Sequence, residues 1–504
     1  MKEKYQLLLI IIVSTLIRCV IAASIGLGND EVYYITYARH LQWNYFDHPP
    51  FVALLIKLTS LNLTLTSDFF IRLGPILLAA INTYFIYVIA KKIKDEKSGI
   101  IAAVLYSASI YSSIIAGVFI LPDAPQLFFW MGSIYFLINI VHPESKSLPK
   151  KYYLLLFGLC TGFCIMSKVH GVFLWFGYGL YVLFFDRKTL TNGYFYVAIL
   201  ITAAIISPIL FWNIDNNFIT YSFHSKRVAI NSAINFNSFI REFFGGILYN
   251  NPINYFLIIC SLIACWKNKI AIAVPHIRIL LFLSLPLIGG LLFISLFRET
   301  LPHWSGPGYT TLIILTSCYL SDAKNNLQKL IHYTLCLIIS ISFLGILLIR
   351  FYPGTLGDKT AITLGGKDAT LDMYDWNYFK TEFEKIHQSD IATAQTKTNF
   401  IVNNKWFPGA HIDNYIAQPL KIDFVAIGKL EDIHTYHWLN QYRKPLQKGD
   451  DAYFITVSNN YMDPKKQYKK IFKKINPPEV IQQLRNNKPA RNMYVYLLEG
   501  YKGN

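Results

Sequence analysis

Two adjacent acids, Asp30 and Glu31, open the first polar stretch after an apolar N-terminal run, and Tyr45-Phe46-Asp47-His48-Pro49-Pro50 follows within it. A carboxylate partly desolvated at a membrane surface can be tuned into a general base. Ionisable groups in such a place are costly unless something uses them. The ordinary alternative is a helix cap, with Asn29 or Asp30 opening a short interfacial helix through Tyr33, Tyr34, Tyr37 and Leu41. Adjacent acids can divide the two tasks. Pro49-Pro50 reads as punctuation before a second amphipathic stretch, Phe51 to Leu58, but that role does not require Asp-His in front of it. A histidine beside the open amides of a helix start suits a phosphate, and Asp47 can orient it or hold a cation.

Four more groups carry chemistry, each with a bland alternative. Asp123, in Pro122-Asp123-Ala124-Pro125, is an acid or a helix cap. Lys168, in Ser167-Lys168-Val169-His170-Gly171, is a cation for a lipid phosphate or a lysine snorkelling to headgroups. Arg298 lies just before His303-Trp304, where aromatic anchoring alone accounts for many tryptophans. Trp212-Asn213 is followed by His224, Lys226 and Arg227. Singly these are weak signals. Caps and snorkels placed by chance would populate both faces of a membrane, whereas all of these fall on one.

That sidedness comes from the elements around them. The chain has 504 residues, 53% hydrophobic and 15% charged, the composition of an integral membrane protein. Eleven apolar runs read as spanning helices: 6–26, 69–90, 99–119, 122–141, 152–167, 170–185, 193–212, 252–266, 277–297, 307–321 and 329–350. The first, flanked by Lys2 and Lys4, is too long for a signal peptide and lacks a cleavage pattern, so it reads as a retained anchor. Alternate loops are basic: Lys91, Lys92, Lys94 and Lys97; Lys146, Lys150 and Lys151; Arg187 and Lys188; Lys267, Lys269 and Arg278; Lys324 and Lys329. These are cytoplasmic by the positive-inside rule, which puts the N-terminus inside and the chemistry-bearing loops and the tail outside.

The net charge of +17 suits anionic lipid surfaces, and no nucleic-acid motif accompanies it. All seven cysteines fall in the apolar runs, so the outward part has no disulfide framework. Cys160 and Cys164, a turn apart, are better read as small buried residues than as ligands. The expected domains are a membrane-embedded part, 1–351, and a soluble α/β domain, 352–504. The second rests on short apolar runs at 400–402, 424–427, 453–457 and 493–498 separated by helix-compatible segments. It shows no phosphate-binding glycine motif, so chemistry is expected in the first domain.

The Asp-Glu-x-x-Tyr loop at 30–34, the Tyr-Phe-Asp-His-Pro-Pro box at 45–50, the Pro-Asp-Ala-Pro turn before Leu127-Phe128-Phe129-Trp130, and Ser167-Lys168-x-x-Gly171 together resemble the C-type (GT-C) membrane glycosyltransferases. More narrowly they resemble the bacterial protein-mannosyltransferase-like branch that includes the aminoarabinose transferases acting on lipid A. The resemblance spans the membrane part and extends to the α/β tail. It implies a polytopic α-helical GT-C fold of about eleven spans with a periplasmic α/β domain, in the bacterial inner membrane. It implies inverting transfer of one sugar from a polyprenyl-phosphate donor to a lipid or glycan acceptor, lipid A or another envelope glycolipid. On these residues Asp30, with Glu31 beside it, would be the catalytic base, and His48, Lys168 and Arg298 would bind the donor phosphate. Asp47, Asp123, Tyr33, Tyr34, His303 and Trp304 would line the donor and acceptor pocket. His48 stands where lysine is usual and Tyr33 where the aminoarabinose enzymes tend to have arginine, which leaves the donor sugar open. No cofactor is implied with certainty; Asp47 and Asp123 could hold a divalent cation, a thin ligand set. Membrane lipids are the remaining expected partners.

Fixed cations in a dry cleft would stabilise a phosphate leaving group. Transfer to protein serine or threonine, or to a polysaccharide, is the alternative within the enzyme class. A lipid or sugar transporter or flippase is the alternative outside it, and would show broken helices and paired repeats, neither of which the sequence displays. A scaffold without activity leaves the one-sided acids unexplained.

Overall fold

The computed structural model describes every residue except 1, 144–147, 229–233, 324, 394, 397 and 504, and the side chains at 2, 224, 226–228 and 325 are likewise outside the description. Lys146, Lys324 and the side chains of Lys2, His224, Lys226 and Arg227, singled out above, therefore lie outside the described residues. The chain divides into two compact units, residues 1–22 with 41–342 and residues 23–40 with 343–504. The boundary differs from the expected 351/352: the stretch holding Asp30 and Glu31 belongs with the C-terminal residues.

The first unit is helical, and every one of the eleven apolar runs contains a helix. Among the described residues, six helices are long and apolar enough to cross a membrane: Glu3–Ser24, Leu73–Ile93, Asp123–Val141, Gly193–Asp215, Val274–Ser295 and Asn326–Phe351. A seventh crossing arises if Phe236–Tyr249 and Pro252–Trp266, bent by 97°, count as one. The remaining apolar runs fold as shorter helices.

The 99–119 run shows why. Its helix stops at Ala108, Ser109 turns extended (φ −73°, ψ 131°), and a π-helical turn Tyr111–Ile115 follows. Ser112 Oγ donates to the carbonyl of Tyr106, an interaction that competes with the helix ladder. Carbonyls at this break accept from another helix: Asn251 Nδ2 donates to Ala108 O at 3.0 Å and Asn254 Nδ2 to Leu105 O at 2.9 Å. Asn251 itself sits at φ +66° in the hinge of the bent pair, and its Oδ1 accepts from Ile253 N. Two breaks therefore satisfy each other inside the apolar bundle, where open backbone groups are costly. The expectation of unbroken spans, used above against a transporter, does not hold at these two places.

The second unit is α/β. Its sheet comprises β1 (Phe400–Asn403), β2 (Asp423–Ala426), β3 (Ala452–Val457), β4 (Phe472–Ile475), β5 (Glu479–Arg485) and β6 (Lys488–Tyr501). The order is β2-β1-β3-β6-β4, with β5 also pairing β6. β2, β1 and β3 are parallel; β6 is antiparallel to β3, β4 and β5. The four expected runs are all strands. β4 and β5 went unread because their sequences, Phe-Lys-Lys-Ile and Glu-Val-Ile-Gln-Gln-Leu-Arg, are mostly polar. The β5–β6 hairpin turns on Asn486-Asn487, both at positive φ, the backbone that a two-residue hairpin demands. The helix Asn29–Arg39 packs in this unit against Trp406–Ile412.

Candidate functional site

In the first unit, three separately placed sequence signals meet on one carboxylate. Asp123 opens the helix Asp123–Val141, but its side chain makes no capping bond there. Lys168 Nζ donates to Asp123 Oδ1 at 2.9 Å and to Oδ2 at 2.8 Å, with both side chains almost wholly buried (3% and 2% exposed). The snorkelling and capping alternatives thus do not describe these two residues. His303 Nε2 lies 4.0 Å from Asp123 Oδ2, and Tyr111 Oη donates to Oδ1 at 3.3 Å. Trp304 packs its ring 5.4 Å from that of His170, so the 168–171 and 302–305 turns also meet directly.

Local sequence explains the convergence. The helix Lys150–Ser167 ends where Lys168 turns extended, and the short turn Val169–Gly171 folds back on it. A Cβ at Gly171 would come within 2.7 Å of Ile165 N, so only glycine allows that return. Gly306 does the same for the tyrosine: a Cβ there would sit 2.4 Å from the Tyr111 ring. Burial pulls the His303 imidazole down to about 4, Asp123 pulling it back up and Lys168 opposing that. His303 is therefore neutral near pH 7 and offers a hydrogen bond rather than a charge.

Asp47 and His48 lie half-buried in a bend ahead of the helix Phe51–Thr59. The bend is fixed by Tyr45 N donating to His48 O at 3.1 Å and by Asn44 Nδ2 donating to Tyr45 O and to Thr220 Oγ1. Trp212 Nε1 donates to Gln42 Oε1 at 3.2 Å, which gives that tryptophan an anchoring role. Phe51 then packs edge-on against Phe129 and tilted against Phe163, 5.7 and 5.4 Å away. Those phenylalanines belong to the helix that Asp123 opens and the helix that Lys168 ends. The His48 box and the Asp123–Lys168 pair are thus tied by one aromatic cluster.

Arg298 is elsewhere in this unit. It lines a cavity of about 420 Å³ with Phe236, Phe297 and Glu299, and its carbonyl accepts from Ser238 Oγ at 2.7 Å. Among the described residues no group of three or more His, Cys, Asp or Glu side chains is placed to hold a metal ion. Asp123, one of the two expected ligands, has an ammonium on both its oxygens.

The second unit contains Asp30 and Glu31. Glu31 Oε2 accepts from Gly28 N at 2.8 Å, so Glu31 reaches back to cap the helix Asn29–Arg39, while Asp30 next to it is solvent-exposed. Glu31 thus takes the capping task. The loop before them is pinned by a segment that sequence reading passed over: Gly26 N donates to Met373 O at 3.0 Å, and Asn29 Nδ2 to Asp372 Oδ2 at 2.9 Å. Burial holds the Asp372 carboxyl above the usual range, the Asn29 bond opposing. Tyr33 and Tyr34, expected to line a pocket, are 1% and 4% exposed and packed among aromatic rings. Tyr33 lies 5.1 Å from Trp406, and its Oη accepts from Thr435 N. Their place is in the packed interior, because a helix with three tyrosines and branched residues is too apolar to leave in water.

Residues 47–212 match the family model described as dolichyl-phosphate-mannose-protein mannosyltransferase. That segment holds Asp47, His48, Asp123 and Lys168. Among solved structures, ArnT from Cupriavidus metallidurans in the apo state aligns over 98% of this chain and 98% of its own, with a TM-score of 0.64 at 11% identity. The same protein bound to undecaprenyl phosphate aligns over 97% of each chain, with a TM-score of 0.65 at 13% identity. The fold is that of the C-type membrane glycosyltransferases. With the family match in the membrane part, the expectation of a multi-pass membrane glycosyltransferase holds. No curated protein matches the chain in sequence.

Proposed function

We propose that this chain transfers one sugar, with inversion, from a polyprenyl-phosphate donor to an envelope glycolipid such as lipid A, at the outer face of a bacterial inner membrane. The carrying observation is the buried Asp123–Lys168 pair, inside the segment that matches the mannosyltransferase family, with neutral His303 beside it. An ammonium has three N–H donors, and two go to Asp123. The third is available to a phosphate oxygen, in a site dry enough for the charge to count. His48 is the further donor-phosphate group, Arg298 lining a separate cavity, and Asp47, Asp123, His303 and Trp304 form the pocket.

Asp30 takes the role of base. It holds and deprotonates the acceptor nucleophile as it attacks the anomeric carbon opposite the phosphate, so that the phosphate leaves with the bond's electron pair. Its exposure suits a group that must meet substrate, and it is Glu31 that caps the helix. The likeness in fold to a protein solved with undecaprenyl phosphate supports the donor class.

Mass spectrometry of lipid A and envelope glycans from cells with and without the protein tests the proposal. Loss of one hexosamine, pentosamine or hexose from lipid A is the expected result. Unchanged lipid A with an altered glycoprotein would move the acceptor to protein; no altered glycan of any kind would sink the proposal.

A further inference from the structure

The segment Pro464–Ile475 of the second unit holds six lysines, Lys465, Lys466, Lys469, Lys470, Lys473 and Lys474, and not one acid. All six are solvent-exposed. Lys474 pairs with Glu499 at 2.9 Å; among the described residues, none of the other five has a carboxylate within ion-pairing distance. Asp463, just ahead, spends its side chain capping the short helix Pro464–Tyr468, accepting from Lys465 N. A seventh lysine joins them, Lys502, whose Nζ reaches the carbonyl of Lys469.

The backbone beneath is rigidly held. Tyr468 and Phe472 are 0% and 1% exposed, and they pack on Phe454 and Tyr501 at 5.2 and 5.5 Å. The lysines therefore project from a fixed surface rather than from a loose tail. One ordinary use for lysine here is to blunt an exposed sheet edge. That accounts for Lys473 and Lys474 on β4, which pairs only with β6. It does not account for Lys465, Lys466, Lys469 and Lys470, which precede the strand.

Unpaired like charges packed this closely repel one another, and an anionic surface removes the repulsion. We propose that this lysine face docks on anionic phospholipid headgroups of the bilayer in which the same chain is embedded. A membrane protein carries its own tethered anionic surface at high effective concentration. Clusters of four to eight basic residues are the size that such surfaces hold, each lysine adding roughly fivefold to the binding constant at moderate salt. The assignment does not depend on which sugar is transferred, or on whether any is.

The test uses the full chain in nanodiscs of phosphatidylcholine alone or with phosphatidylglycerol, and follows hydrogen exchange of the amides in 464–475. Slower exchange with phosphatidylglycerol, reversed at high salt, is expected. The variant with Lys465, Lys466, Lys469, Lys470 and Lys473 all changed to Gln should lose the difference while keeping its thermal transition, since these side chains support no buried contact. Equal exchange in the two lipids overturns the proposal. So does protection that appears only with a soluble phosphorylated oligosaccharide, which would assign the face to another partner.

Discussion

In the second unit Asp413 is fully buried, with Arg443 at 2.6 Å, Arg39 at 4.0 Å, and Tyr436 Oη and Gln418 Nε2 each donating at 3.1 Å. Asp368 there is held as tightly, by Arg485 at 3.0 Å, two threonine hydroxyls and the Leu356 amide. Burial opposes the ionisation of both, and the donors outweigh it, leaving each below the usual carboxylate range. In the first unit Asp123 is just as buried but has one ammonium, a long 3.3 Å hydroxyl contact and a neutral histidine at 4.0 Å. Arg443 and Arg485 each give their carboxylate one N–H and anchor the rigid planar group on backbone carbonyls, which fixes the geometry, whereas a lysine is a point charge that can turn to a second partner. The over-held acids read as structure and the under-held one as site. Asp30 is the exception that sharpens the contrast: in the unit of over-held acids, it is an exposed carboxylate.

The largest expected effect is at that exception. Asp30→Asn should lower transfer by on the order of a hundredfold to ten-thousandfold, the usual contribution of a general base, with insertion and thermal stability unchanged. Near-normal transfer would remove Asp30 from the mechanism. Next is Asp413→Ala, which leaves Arg443 buried without its partner and should cost about 3–5 kcal/mol of stability in thermal or denaturant unfolding. The Asp123→Leu/Lys168→Met double variant should do the opposite. Replacing a whole buried pair with apolar side chains is often neutral for stability, so the protein should insert and melt normally yet fail to transfer. If it unfolds instead, the Asp123 pair is structural and the contrast between the units breaks. Smaller again is His48→Ala, expected to raise the donor requirement roughly tenfold, the value of about one charge-assisted hydrogen bond. An unchanged donor requirement returns His48 to helix punctuation.

Much of this was legible because it is carried by patterns that burial cannot disguise. Spanning runs of apolar residues, four β-branched or aromatic strand cores, and charged residues stranded between them all stand out against an apolar background. Asp123, Lys168 and His303 were readable individually for that reason, though nothing in their spacing says they touch. Tyr111 was not readable, since a tyrosine within an apolar run looks like any other interfacial ring; the serines at 107, 109, 112 and 113 were the available hint that the helix breaks there. The grouping of 23–40 with the C-terminal residues was hidden as well. Sequence neighbours suggest an outward loop of the membrane part, and only the Gly26–Met373 and Asn29–Asp372 bonds, across more than three hundred residues, show otherwise.

The smallest effect separates two neutral histidines by pH. Burial lowers His303 to about 4 and His411 to about 3, against 6.5 for a free side chain. His411 Nε2 faces two carbonyl oxygens, of Leu27 and Asp372 at 3.2 and 3.1 Å, so it carries the proton and its ring stacks on Trp376 at 4.3 Å. A depressed folded value means that the unfolded chain binds a proton first as pH falls. The stability each residue contributes is present above pH 6.5 and is lost progressively down to about 4 for His303 and about 3 for His411. Unfolding measured from pH 7 to 4 should therefore show a slope that His303→Asn and His411→Asn each reduce. Only His303→Asn should also change transfer at pH 7, because only that ring lies beside the Asp123–Lys168 pair. Loss of transfer in His411→Asn with stability intact would place chemistry in the second unit's interior and erase the distinction between the two.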